Sequence, residues 1–240
     1  MQKLKALFFD IDDTLYSTSE FANTARLNSV QAMINAGLKV ELTECFREMT
    51  EVIKEFGSNF GFHYDKLLLR LPKETYTGVN PAVIIAAGMV AYHETKFKSL
   101  KPYEDVIEIF QLLSKTKLVI GIITAGLQIK QAEKLVRLNL LKYINPQAIF
   151  ITDQIGIGKS NEKLYRTACE LIGILPHNCM YVGDNPFCDV DPVKRIGMIS
   201  VLNRRSGKYM EVKGQEAPDY IIHNMWELVE ILRNRYNVKV

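Results

Sequence analysis

Asp10-Ile11-Asp12-Asp13-Thr14 follows directly on the apolar run Leu7-Phe8-Phe9, so two carboxylates one residue apart emerge where a buried strand ends. In open parallel sheets ligands sit beyond the carboxyl ends of the strands, and an ionised aspartate there can act as a nucleophile or hold a hard cation. Three further elements follow in order. Thr124 comes after Val119-Ile120-Gly121-Ile122-Ile123 and before Ala125-Gly126, and together they offer a hydroxyl and loop amides to an anion. Lys159 is next, and Gly183-Asp184-Asn185-Pro186-Phe187-Cys188-Asp189, after Tyr181-Val182, adds two more carboxylates on one loop. The combined inventory is acidic ligands for magnesium, with a lysine and a threonine for the phosphate such a metal accompanies.

Taken singly, each element has a plainer reading. Asp-x-Asp after a strand is often a turn and helix cap, a lone threonine caps a turn, a lone lysine is solvated, and Gly-Asp-Asn-Pro is itself a turn sequence. Turn chemistry alone does not readily produce four elements of these types, each tied to an apolar run and in this order. Gly156-Ile157-Gly158-Lys159-Ser160 ends like a phosphate-binding P-loop, but the glycine required five residues before Gly158 is Asp153 here, and that reading fails. Gly121 and Gly126 likewise complete no dinucleotide fingerprint.

The elements that must position these residues are short apolar runs at Ala6 to Phe9, Leu118 to Ile123, Ala148 to Ile151, Met180 to Val182, Ile199 to Leu202 and Tyr220 to Ile222. Helix-length segments lie between the later runs. Val106, Ile109, Phe110 and Leu113 step by three and four, as do Ile129, Ala132, Leu135 and Val136, and Leu228, Ile231 and Leu232. Strand and helix in alternation predict an α/β doubly wound parallel sheet with right-handed crossovers, a Rossmann-like core.

Residues 17–99 break the alternation, with helical periodicity and no convincing strand. Phe46, Met49, Ile53 and Phe56 mark one amphipathic helix, and Val83, Ile84, Ala87, Val90 and Ala91 another. The expected organisation is a core of residues 1–16 and 100–240 with an inserted α-helical cap domain of residues 17–99, sitting over the crevice like a lid. Phe60, Phe62, Tyr76, Tyr92 and Phe97 are expected to pack the cap rather than bind substrate.

Composition narrows the partners. The chain has 240 residues, 48% of them hydrophobic, and its 30 basic and 27 acidic side chains are spread without a polybasic block, which argues against nucleic acid. Cys45, Cys169, Cys179 and Cys188 form no C-x-x-C pair, so neither a zinc site nor a disulfide framework is indicated. No stretch approaches the roughly 18 apolar residues of a membrane span. A cytoplasmic protein with no membrane partner is expected, as a monomer or small homo-oligomer.

The four ordered elements, Asp10-Ile11-Asp12-Asp13-Thr14, Thr124, Lys159 and Gly183-Asp184 through Asp189, closely resemble the motifs of the haloacid dehalogenase-like hydrolase superfamily, over nearly the whole chain. The helical insertion resembles the four-helix-bundle type of cap. The resemblance implies that Asp10 is the nucleophile and Asp12 the general acid and base. It implies that Thr124 and Lys159 contact phosphate, beside the Ala125 loop, and that Mg2+ is held by Asp10, the Asp12 backbone carbonyl and Asp184, with Asp189 supporting the site from behind. Dehalogenases of the superfamily lack the second aspartate of the first motif, so Asp12 favours a phosphatase that hydrolyses a small phosphorylated metabolite through a phospho-aspartyl intermediate. The alternatives are a phosphomutase or phosphotransferase, a 2-haloacid dehalogenase, and a magnesium- and phosphate-binding module without turnover. One departure is that Ser160-Asn161-Glu162 stands where many relatives place a proline after the lysine, leaving Asn161 or Ser160 to cap the next helix.

Overall fold

The computed structural model describes residues 3–240. The chain divides into two compact units, one of Met1–Ser19 with Lys101–Val240 and one of Glu20–Leu100.

The first unit is built on six strands, β1 (Ala6–Phe9), β2 (Val119–Thr124), β3 (Ile149–Ile151), β4 (Cys179–Gly183), β5 (Ile199–Asn203) and β6 (Tyr220–Ile222). They form one sheet in the order β3-β2-β1-β4-β5-β6, with every pairing parallel. A parallel sheet needs helical crossovers, which cover both faces and make its strands apolar throughout. Accordingly every residue of β1, β4 and β5 is buried. On one face Phe8 and Tyr181 pack with Tyr165, Ala168 and Cys169. From the adjacent strand position, Phe9 meets the Phe110 ring at 4.8 Å. Burying side chains of this size stabilises the fold by roughly 1.5–3 kcal/mol each.

The predicted strands agree with those observed to within a residue or two at each end. Strand order reverses at β1, between β2 and β4, and this switch point is where such sheets bind ligands. Asp10 N donates to Val182 O at 2.9 Å, which sets the ends of β1 and β4 side by side.

The second unit carries most of α1 (Thr18–Asn35), with α2 (Leu42–Phe56), α3 (His63–Arg70) and α4 (Pro81–Ser99), and no strand. Its core is Val30, Met33, Leu38, Cys45, Met49, Leu67, Leu68 and Ile84 with their neighbours. The predicted faces are rotated from the real ones. Cys45, Met49 and Val52 are the buried residues of α2, and Ile84, Gly88 and Thr95 those of α4, leaving Phe56, Val83 and Val90 exposed. Phe62 and Phe97 are also exposed, although Phe62 packs edge-on against the Phe60 ring at 5.8 Å.

The remaining helices of the first unit are α5 (Glu104–Leu113), α6 (Gln128–Arg137), α7 (Thr152–Ile155), α8 (Glu162–Leu171), α9 (Asp191–Arg195) and α10 (Met225–Tyr236). The apolar stripe of α5 is buried as read, but α6 buries Gln131 and Leu135 and exposes Ile129 and Val136. Among the described residues no helix is long and apolar enough to cross a membrane.

Candidate active site

Every sequence-predicted site residue lies in the first unit, at the carboxyl ends of the strands. Asp10 follows β1, Thr124 ends β2, Asp184 follows β4, and Lys159 lies between α7 and α8. The helix after Lys159 starts without proline because Asn161 supplies the cap, its side chain accepting from Lys163 N at 3.0 Å. Asp189 lies on a single π-helical turn, Pro186–Val190, which folds the loop back under β4.

The centre is an ionic knot. Lys159 Nζ stands 3.0 Å from Asp10 Oδ2 and 2.6 Å from Asp189 Oδ1. Asp189 Oδ2 accepts from Asn185 N at 3.0 Å, so both its oxygens are engaged. Tyr181 floors the knot, its ring centroid 5.4 Å from the ammonium and its hydroxyl donating to Ile123 O at 2.8 Å. Asp10, Asp184 and Asp189 each bring one oxygen within 4.8 Å of the others.

Three carboxylates against one lysine leave a surplus of negative charge in a buried place, and the titration of these groups reflects it. Burial, with Asp189 and Asp12 nearby, pushes the Asp10 carboxyl up to about 6 although Lys159 opposes the shift. Burial, with Asp189 and Asp10, takes Asp184 up to about 8. Lys159 moves the other way from a solitary buried amine: burial disfavours its charge, but Asp10 and Asp189 outweigh it and hold the ammonium well above the ordinary lysine range. Asp10 Oδ1 and Thr124 Oγ1 are buried without a hydrogen-bond partner. Buried polar atoms rarely go unpaired, and two of them at a strand-end crevice mark positions for ligand atoms. Oxygen donors in this number suit a hard divalent cation such as Mg2+, so the residues fit the group the motifs imply.

Asp12 is placed differently. Its carboxylate is not part of the acidic group. It turns to the side, taking Lys134 Nζ at 2.6 and 2.7 Å on its two oxygens, the Tyr16 hydroxyl at 2.6 Å, Thr18 Oγ1 at 2.9 Å and Gln131 Nε2 at 3.2 Å. Burial works to raise its carboxyl pKa, but the Lys134 charge and the bonds from Lys134, Tyr16 and Thr18 prevail and hold it below the usual range. Of the predicted metal set, Asp12 therefore has only its backbone carbonyl to offer. The loop amides after Thr124 are also partly spent, since Gly126 N donates to Thr152 Oγ1 at 3.0 Å.

The model of the haloacid dehalogenase-like hydrolase family matches residues 4–197. The chain belongs to the haloacid dehalogenase-like hydrolases. A glyceraldehyde 3-phosphate phosphatase from Methanopyrus kandleri is 40% identical over 236 residues, covering 96% of this chain and 97% of that protein. The protein of the same name from Methanocaldococcus jannaschii is 36% identical over 231 residues, covering 96% and 98%. Among solved structures, a haloacid dehalogenase-like phosphatase from Thermococcus onnurineus superposes with a TM-score of 0.67 at 24% identity, over 95% of this chain and 98% of that one, a likeness of fold.

Within the family this hydrolase is a phosphatase acting on a small phosphomonoester. Sequence pattern does not mark the four residues that touch Asp12 in the structure, Tyr16, Thr18, Gln131 and Lys134. Gln131 and Lys134 lie on α6, whose apolar stepping points to Ile129 and Val136 instead. The one available signal was a polar pair three residues apart on a helix that starts just after Thr124.

Proposed function

We propose that this hydrolase removes phosphate from glyceraldehyde 3-phosphate in a Mg2+-dependent reaction, with Asp10 as nucleophile. The observation that carries the reading is the buried, unpartnered Asp10 Oδ1 beside Lys159, within a chain whose relatives of near-equal length are named glyceraldehyde 3-phosphate phosphatases.

Asp10 has one oxygen fixed by Lys159 and the other free, which suits in-line attack on phosphorus and formation of an acyl phosphate. Mg2+ held by Asp10, Asp184 and the Asp12 carbonyl would supply positive charge against the repulsion between carboxylate and phosphate. Lys159, kept protonated by Asp10 and Asp189, would meet charge on the transferring oxygens, and the Thr124 hydroxyl would donate to another. Asp189, with both oxygens engaged, would orient Lys159 from behind. Asp12 would have to take up a proton before the first step, give it to the leaving alkoxide, and then, ionised, accept one from the water that cleaves the acyl phosphate. Held as an ionised carboxylate beside Lys134, it is matched to the last of these tasks. The helical unit is proposed as the substrate-selecting cap. The dispersed charge and the lack of a long apolar stretch support a cytoplasmic setting without a nucleic-acid or membrane partner, and the protein is proposed to act as a monomer or small homo-oligomer.

The test is phosphate release by purified protein from a panel of phosphomonoesters that includes glyceraldehyde 3-phosphate and p-nitrophenyl phosphate, with Mg2+ and with chelator. Glyceraldehyde 3-phosphate should be hydrolysed with the highest kcat/KM, and chelator should abolish the activity. Another metabolite preferred at least about tenfold, a difference near 1.4 kcal/mol in transition-state binding, would overturn the substrate. Undiminished rates in chelator would overturn the metal.

A further inference from the structure

Two ammonium groups divide the carboxylates of this site between them. Lys159 takes Asp10 and Asp189. Lys134 takes Asp12, reaching both of its oxygens from the last turn of α6. Gln131, one turn earlier, is buried and bridges Asp12 Oδ2, at 3.2 Å, to Ala125 O, at 2.7 Å. Gly126 makes room for that bridge, because a Cβ at this position would lie 2.5 Å from Gln131 Nε2.

Asp12 is two residues from Asp10 on a short loop, and such a side chain can follow its neighbours toward a divalent cation. A fourth carboxylate would add favourable charge at a magnesium site, so something must keep Asp12 out of it. The partners of Asp12 do so from the side. Tyr16 and Thr18 approach Oδ1 from its own segment, whereas α6 supplies the opposing charge from a rigid helix packed through Leu135.

We propose that Lys134, assisted by Gln131, is a positioning residue for the reaction, holding the Asp12 carboxylate apart from the metal-binding carboxylates and so reserving it for proton transfer. This rests on the Mg2+ and Asp12 assignments made under Proposed function. Lys134 touches neither substrate nor metal in this scheme and acts only through Asp12. Without it, Asp12 swings toward the cation, tightening metal binding while removing the proton carrier from its station.

The experiment combines kinetics with a double-mutant cycle on metal binding. Lys134→Met should lower kcat on glyceraldehyde 3-phosphate by about 10-fold to 100-fold, the scale of a misplaced reacting group, with KM changed by less than about threefold. Titration calorimetry of Mg2+ into substrate-free protein should show tighter binding in Lys134→Met by about fivefold or more, an effect absent when Lys134→Met is made in an Asp12→Asn background. Lys134→Arg, which keeps the charge, should restore most of kcat, and Lys134→Gln serves if the methionine variant does not fold. A Lys134→Met or Lys134→Gln enzyme with wild-type kcat, or an equal Mg2+ shift in both backgrounds, overturns the proposal. Wild-type protein that binds no Mg2+ overturns it together with the metal assignment. A wild type that binds and turns over beside a Lys134 variant that matches it overturns this inference alone.

Discussion

Lys159 Nζ lies 2.6 Å from the Oδ1 of Asp189, a carboxylate with no exposed side-chain surface. A second contact of the same ammonium, 3.0 Å to Asp10, ties the end of β1 to the loop after β4. Removing one member of a buried ion pair leaves the other uncompensated, at a cost near 3 kcal/mol or more. Lys159→Met should therefore lower the stability of chelator-treated protein by about 3 kcal/mol, read as a drop in the urea midpoint. Added Mg2+ should recover part of that loss, because a cation among Asp10, Asp184 and Asp189 offsets the same charge. An unchanged midpoint would contradict the reading of Lys159 as the counter-charge of the site.

Asp10→Asn preserves size and removes the nucleophile. Turnover should fall by about 10⁴-fold or more, the scale on which loss of a covalent nucleophile is felt. Far-ultraviolet circular dichroism should be unchanged, since burying an amide in place of a surplus carboxylate does not unfold the sheet. Substantial residual phosphate release from this variant would remove Asp10 from its assigned role.

How much of this was legible in the sequence depends on the kind of signal. The strands were readable because residues such as Leu7 to Phe9 and Val119 to Ile123 are apolar on both sides, as a covered parallel sheet demands. The motifs stand at the ends of those runs, and that position alone places the crevice. The buried faces of α4 and α6 differ from their apolar stripes for one physical reason. Gly88, Thr95 and Gln131 are buried by close packing or hydrogen bonding, which hydropathy does not register. The Lys134 contact with Asp12 spans 122 residues and carries no local pattern at all.

The raised carboxyls give the metal site a pH dependence of definite sign. The Asp184 carboxyl, ordinarily near 3.8, sits at about 8, and that of Asp10 at about 6, both raised first by burial. A raised carboxyl favours the protonated fold, so its stabilising share in metal-free protein is present in acid and lost as pH rises through 6 and then 8. Mg2+ must displace those protons, so its affinity should fall on acidification below pH 8, by up to about tenfold per pH unit for each proton released. Calorimetry between pH 6 and 9 in buffers of different ionisation enthalpy would report both the affinity and the proton count. A flat affinity over that range would count against Asp184 as a ligand.

Asp12→Asn separates the two halves of the reaction through the leaving group. An alkoxide needs a proton as it departs, whereas nitrophenolate is stable without one. The variant should lose about 10²-fold to 10⁴-fold in kcat on glyceraldehyde 3-phosphate, and with p-nitrophenyl phosphate it should show a burst of nitrophenolate followed by slow turnover. The burst arises because the acyl phosphate forms but its hydrolysis lacks a base. Equal losses on both substrates, with no burst, would argue against a proton-carrying Asp12.

Gly183 ends β4 directly against Asp189, and the close approach leaves no space for a side chain. A Cβ at Gly183 would clash with Asp189 Oδ2 and Cγ. Asp189 cannot retreat without breaking its bonds to Lys159 and Asn185, and it has no solvent beside it. Gly183→Ala should therefore cost about 1–3 kcal/mol of stability, as overpacking does, and should also displace Lys159 from Asp10. A shift of about 1 Å in a reacting constellation lowers rates by about 10²-fold, so kcat should fall even at temperatures where the variant is fully folded. Gly61→Ala is the matched control, since a Cβ there meets nothing within 4 Å and should change stability by less than about 0.5 kcal/mol. Loss of stability in Gly183→Ala with kcat intact would mean that Asp189 supports the fold and does not orient Lys159.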